Sequence, residues 1–219
     1  MEIIVFIAVI PLALFVTFIY FKNEQKRTAS IEAAAKTLGF TFDKDTVHAC
    51  TIASLPFKLF TTGHSKRTKN VMEQNGNDLS IAHFDYSYSI GSGKNKNIYN
   101  QTVTVFQSPK LNLPSFLMGP ERFFHRIGDV LGFKDIDFDD EPEFSKIYLL
   151  KGNDEKAIRS FFDLSLLRFF KIRPGLSIET ANNSLVVYNK SKRIKPDQIN
   201  AVLKERIEIY TMLLNRSAK

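Results

Sequence analysis

From Ile3 to Phe21 the chain carries no charged side chain, and only Thr17 and Tyr20 bear a polar group. At a helical rise of about 1.5 Å per residue such a run extends roughly 28 Å, close to the hydrocarbon thickness of a bilayer. Lipid offers the backbone no hydrogen-bond partner, so the pattern predicts a transmembrane helix over 3–21. Pro11 removes one N–H donor from it and predicts a modest kink without a break. A cleaved signal peptide would need a basic start, a shorter apolar stretch and a small-x-small cleavage site. Here Glu2 is the only charge before the run, and Tyr20-Phe21-Lys22 ends it, so the helix is expected to stay.

Beyond the run the pattern changes to short amphipathic segments. Thr28 is a plausible N-cap for a helix over 28–38 whose stripe is Ile31, Ala34, Ala35 and Leu38, with Gly39 at its C′ position. Phe40 to Phe42 alternates as a strand does, and so do residues 55–62. A polar, basic loop is expected from His64 to Asn77. The strongest β signal lies in 79–89 and 98–106, joined by the turn-rich Gly91 to Asn97, which predicts a hairpin with a basic tip. Alternation sets Ile81, His83, Asp85 and Ser87 on one face. Ala82, Phe84, Tyr86 and Tyr88 fall on the other, which is expected to be the core.

Pro120 at N1 predicts a helix with Phe123, Phe124, Ile127, Val130 and Leu131 on its stripe, ended by Gly132. A strand over 146–151 follows, then a largely buried helix capped by Asn153 and reaching Phe170. Residues 176–180 and 185–188 form a second hairpin around Asn182-Asn183, and Pro196 opens a last amphipathic helix. Helices alternating with antiparallel hairpins define an α+β domain behind the anchor. The expected organisation is an anchor and juxtamembrane segment over 1–27 and a soluble domain over 28–219, the latter divisible into two subdomains near residue 145.

Composition adds direction to this architecture. The 219 residues include 44% hydrophobic residues and 20 Phe, ample for a core. The net charge is +7, and removing residues 1–21 removes only Glu2, which makes it +8. A basic domain beside an anionic leaflet is attracted to lipid headgroups. Lys22, Lys26 and Arg27 follow the apolar run directly, form the expected membrane-surface set, and place the domain on the cytoplasmic side by the positive-inside rule. A lone cysteine, Cys50, excludes an intramolecular disulfide framework and suits a reducing compartment.

No chemical motif survives inspection. Gly91-Ser92-Gly93-Lys94 has Tyr88 and Asn95 where a phosphate loop needs Gly and Ser or Thr, and it joins two strands. The acidic run from Asp135 to Glu143 has Asp140 and Lys146 where a calcium loop needs Gly and Glu, so an edge strand with Ile136 and Phe138 inward is expected. His48 and Cys50 are two ligands short of a metal site, and His64, His83 and His125 are scattered. No metal or other cofactor is expected. The basic residues Lys66, Arg67, Lys69, Lys190, Lys192, Arg193 and Lys195 lack the exposed aromatics of a nucleic-acid surface, which disfavours nucleic acid as a partner.

Several phrases, taken in order, do form a familiar series. They are Ala35-x-x-Leu38-Gly39-Phe40, Phe84-Asp85-Tyr86-x-Tyr88 with Gln101-Thr102-Val103, Leu113-Pro114-x-Phe116 with Gly119-Pro120-Glu121, and Asp135-Ile136-Asp137-Phe138 leading to Glu143-Phe144-Ser145. Over most of residues 30–190 the chain resembles a group of bacterial membrane-anchored proteins of unknown function. The resemblance implies a bacterial inner membrane and carries over no catalytic residue. The expected function is a membrane-tethered module that binds a protein partner or the lipid surface. The alternative is a tethered enzyme whose site is assembled from His83, Asp85, Asp137 and Glu143.

Overall fold

A computed structural model describes residues 2–45, 55–120 and 135–217, with side chains from Leu12 onward. Its strands are β1 (Thr41–Asp43), β2 (His64–Asn75), β3 (Ser80–Ile90), β4 (Asn97–Gln107), β5 (Phe116–Pro120), β6 (Tyr148–Gly152), β7 (Ser177–Ala181) and β8 (Ser184–Tyr188). They form one antiparallel sheet in the order β1-β2-β3-β4-β8-β7-β5-β6. The helices are α1 (Glu2–Leu38), α2 (Lys58–Thr61), α3 (Pro142–Ile147), α4 (Glu155–Phe161), α5 (Leu164–Lys171) and α6 (Ile199–Ser217). The α+β class is therefore as expected, and strands from either side of residue 145 share the sheet.

One sheet face carries Phe106, Met118, Leu150, Ile178 and Val187, packed against α3 to α5 and the Ile209, Tyr210 and Leu213 stripe of α6. Farther along the same face, Ile31 and Ala35 of α1 meet Met72, Ile194, Ile199 and Leu203. The opposite face holds Phe84, Tyr86, Tyr88, Val103, Val105, Val186 and Tyr188 beneath Phe57, Leu59 and Phe60. The aromatic face of β3 is core, as its alternation indicated. The His83 and Asp85 face is buried too, because α1 and α6 cover it.

Several local expectations are corrected. Residues 28–38 are not a separate helix: α1 runs unbroken from Glu2, so Thr28 lies inside it. From Lys22 to Leu38 there is neither Gly nor Pro and many strong helix formers, so nothing interrupts the helix. It ends as expected at Gly39 (φ +74°), where Phe40 N–H reaches Ala35 O at 2.9 Å in a Schellman closure. Residues 55–62 hold the turn α2 and no strand, and the expected loop over 64–77 is the long strand β2. Pro120 closes β5, while the helix expected over 121–132 lies outside the described residues. Residues 142–147 form α3 ahead of β6, and Asp154 rather than Asn153 caps α4. The expected long helix to Phe170 is two, because the Asp163 carboxylate caps α5 by accepting from Leu166 N–H at 2.8 Å. The acidic segment forms no strand; Ile136 N–H donates to Leu150 O, and its side chain is buried as expected.

Among the described residues no helix is long and apolar enough to cross a membrane. The described side chains of α1 begin inside the apolar run, and Leu12, Leu14, Phe15, Val16, Phe18, Ile19, Tyr20 and Phe21 are 41–66% exposed. Four consecutive positions cover all sides of a helix, so α1 from Leu12 to Phe21 is exposed around its circumference. The Thr17 hydroxyl bonds back to Ala13 O at 2.7 Å, which satisfies the one polar side chain before Tyr20.

Candidate functional site

The polar side chains of β3 and β4 meet α1 at a buried charge cluster centred on Asp85. Arg27, at the point where α1 reaches the sheet, grips the Asp85 carboxylate with Nε at 2.8 Å and Nη2 at 2.7 Å. Its remaining Nη1 donates to Ile194 O at 2.7 Å. Asn70 Nδ2 and Thr102 Oγ1 add donors at 3.0 and 2.9 Å. Arg193 Nη2 approaches at 3.2 Å and holds Glu24 of α1 through both terminal nitrogens at 2.8 and 2.9 Å. Two arginines thus balance two carboxylates, and α1 is tied to the sheet by planar forks of paired hydrogen bonds.

Local structure aims each of these groups. A bulge in β2 between Lys69 and Met72 puts Asn70 at φ +53°, a conformation Asn tolerates better than most residues, and turns its amide onto Asp85. The bonds at Asp85 decide its protonation. Burial alone would raise its pKa, but Arg27, with Arg193 and Asn70, more than offsets this and holds the carboxyl below its ordinary value. For Arg193, burial opposes the charge while Glu24 and Asp85 favour it, and the net shift is upward.

Two residues farther along β3, His83 Nδ1 lies 2.8 Å from Thr104 Oγ1. Arg206 of α6, wholly buried, donates to the same hydroxyl and to Thr102 O at 3.3 Å. Burial, then the Arg206 charge, brings the imidazole pKa down to about 3, so His83 is neutral at physiological pH. Burial also lowers Arg206, to about 10. On the other face Glu179 accepts from Leu59 N–H and Tyr188 O–H, both at 3.0 Å, and burial pushes its carboxyl up to about 7. Glu179 lines, with Phe57, Lys58, Leu117 and Lys151, a groove of about 440 Å³.

The structure separates the four candidates for an enzymatic site. His83 and Asp85 share the buried face of β3. Asp137 and Glu143 are exposed near α3, where Asp137 O accepts from Arg159 and Glu143 pairs with Lys146 at 2.7 Å. Of the three membrane-surface residues, Lys22 and Lys26 are exposed, while Arg27 turns inward to Asp85. His48, Cys50 and His125 lie outside the described residues. Sequence reasoning placed Arg193 only in a basic cluster and missed Glu24 and Arg206; the signal for Arg206 was an arginine in an apolar stripe position of α6.

Compared with protein families, curated proteins and solved structures, the chain matches none of them.

Proposed function

We propose that this chain is a single-pass protein of a bacterial inner membrane, held by residues 3–21, whose domain is a binding module at the cytoplasmic face. The observation that carries this reading is the division of α1. Its described apolar residues, Leu12 to Phe21, are exposed on every side, while farther along the helix is fixed to the sheet by Arg27 and Glu24. Exposing that much contiguous apolar surface to water is costly, and a bilayer is the environment that removes the cost. The lysines after the run, Lys22 and Lys26, support the cytoplasmic orientation. Lipid is favoured over a protein partner by Arg67, Lys69 and Lys96, whose side chains form no ion pair among the described residues.

The test is a pair of fusions to Lys219 in a bacterial host, one to a fluorescent protein active in the cytoplasm and one to a phosphatase active in the periplasm. Fluorescence that stays with membranes after an alkaline carbonate wash, without phosphatase activity, is the expected result. Phosphatase activity overturns the orientation, and release by carbonate overturns the anchor.

A further inference from the structure

Where α1 leaves the sheet, two adjoining cavities share Tyr20, Arg67, Ser87 and Asn100 in their walls. The larger is about 460 Å³, within the range of small-ligand sites. We propose that this cleft binds the phosphate headgroup of an anionic phospholipid, with Arg67 and Lys69 as its cationic ligands. The inference rests on the membrane reading above and deepens it by naming the ligand and the residues.

Charge balance comes first. The cleft contains the Asp85 and Glu24 carboxylates, but Arg27 and Arg193 already neutralise them. The Arg67 and Lys69 side chains are exposed beside them and form no hydrogen bond or ion pair among the described residues, so the site carries surplus positive charge. Lys96 adds a third cation from the other wall. The sheet supplies neutral donors between them, since Arg67 stands opposite Ser87 and Ser87 opposite Asn100. A guanidinium fork, an ammonium, a hydroxyl and an amide are the groups that bind phosphate oxygens.

Position then selects the source of the phosphate. Tyr20 closes the apolar run and lines both cavities, so the cleft opens at the level where an interfacial tyrosine sits. Ile98, 62% exposed, lies in the same wall and presents an apolar surface toward the acyl boundary. The β3–β4 tip with Lys94 continues past it in the same direction. A soluble anion has no use for an apolar rim; a phospholipid needs one.

The full chain in detergent micelles is to be examined by native mass spectrometry with phosphatidylglycerol and phosphatidylcholine at equal concentration. The wild type is expected to prefer phosphatidylglycerol by roughly tenfold, from two cations near one phosphate. Arg67→Gln/Lys69→Gln abolishes the preference, whereas Lys156→Gln/Lys204→Gln, with the same net charge and distant exposed positions, keeps it. No preference in the wild type, or equal loss in both double variants, overturns the site. Displacement of phosphatidylglycerol by millimolar inorganic phosphate reassigns it to a soluble anion and overturns the lipid source. Insertion into phosphatidylcholine vesicles is scored separately: a chain that inserts without headgroup preference refutes this site and leaves the anchor standing, and a chain that does not insert refutes both.

Discussion

Asp85 is a buried anion whose stability depends wholly on its neighbours. Taking a carboxylate from water costs several kcal/mol, and Arg27, Arg193, Asn70 and Thr102 offset that cost in place. Asp85→Asn keeps the shape but leaves Arg27 without its carboxylate. It is expected to lower stability by about 3–5 kcal/mol, read as a shift in the urea midpoint of the full chain in detergent. His83 and Glu179 bear on the same measurement through pH. The His83 pKa falls from 6.5 to about 3 on folding, so the unfolded chain takes up the proton first and stability drops as pH falls below 6.5. Glu179 rises from 4.5 to about 7, so its contribution is complete below 4.5 and is lost as pH rises toward 7. Between pH 4.5 and 6.5 the two slopes, each about 1.4 kcal/mol per pH unit, oppose one another. The wild type is therefore expected to be nearly flat there. Glu179→Gln exposes a loss of stability toward acid, and His83→Gln exposes a loss toward neutral pH. Parallel flat profiles in all three proteins refute the assignment of these two groups.

At the scale of elements, what sequence pattern revealed and what it hid follow from how local each signal is. The β3–β4 hairpin was legible because period-2 alternation and a Gly-rich tip are properties of neighbours. The β7–β8 turn was legible for the same reason, with Asn182 at φ +50°. β2 was not, because it is polar along most of its length and two bulges break its alternation. The turn α2 resembled a strand; its backbone N–H at Leu59 is satisfied by Glu179, a partner 120 residues away that no local pattern contains. The charge cluster was half legible. Asp85 and His83 stood out as polar residues on a strand, but Glu24, Arg193 and Arg206 are joined to that face only by folding. Gly152 shows the reverse situation, in which an unremarked residue is held by its surroundings. A Cβ there would lie 2.3 Å from Ile158 Cδ1 and 2.5 Å from Ser115 O, between α4 and the loop before β5. The side chain can move, but the carbonyl is backbone. Gly152→Ala is expected to cost about 1–3 kcal/mol by overpacking, measured by the same urea titration.

At the scale of the whole molecule, the anchor we propose would make α1 a rigid link between a bilayer and the domain. The helix is unbroken to Leu38 and clamped at Glu24 and Arg27, so on that proposal it would set the height of the sheet above the membrane, where a flexible linker would let the domain drift. Rotation about the helix axis matters little, because the side chains from Leu12 to Phe21 are exposed on all sides of the helix. Height matters more. Inserting four alanines between Phe21 and Lys22 extends the helix by about 6 Å and slightly more than one turn, keeping helix propensity. That lift is more than half of the roughly 10 Å over which salt screens a charge, so Arg67, Lys69 and Lys96 lose a large part of their attraction to an anionic leaflet. In a Cys50→Ser background, a spin label at Ser92→Cys on the β3–β4 tip reports the distance through contact with paramagnetic headgroups. The wild-type spacing is expected to give strong broadening in vesicles containing phosphatidylglycerol, and the insertion to weaken it while urea stability stays unchanged. Equal broadening in both would mean that the domain leans freely on the bilayer, and that the clamp at Asp85 stabilises the fold without setting the domain's height.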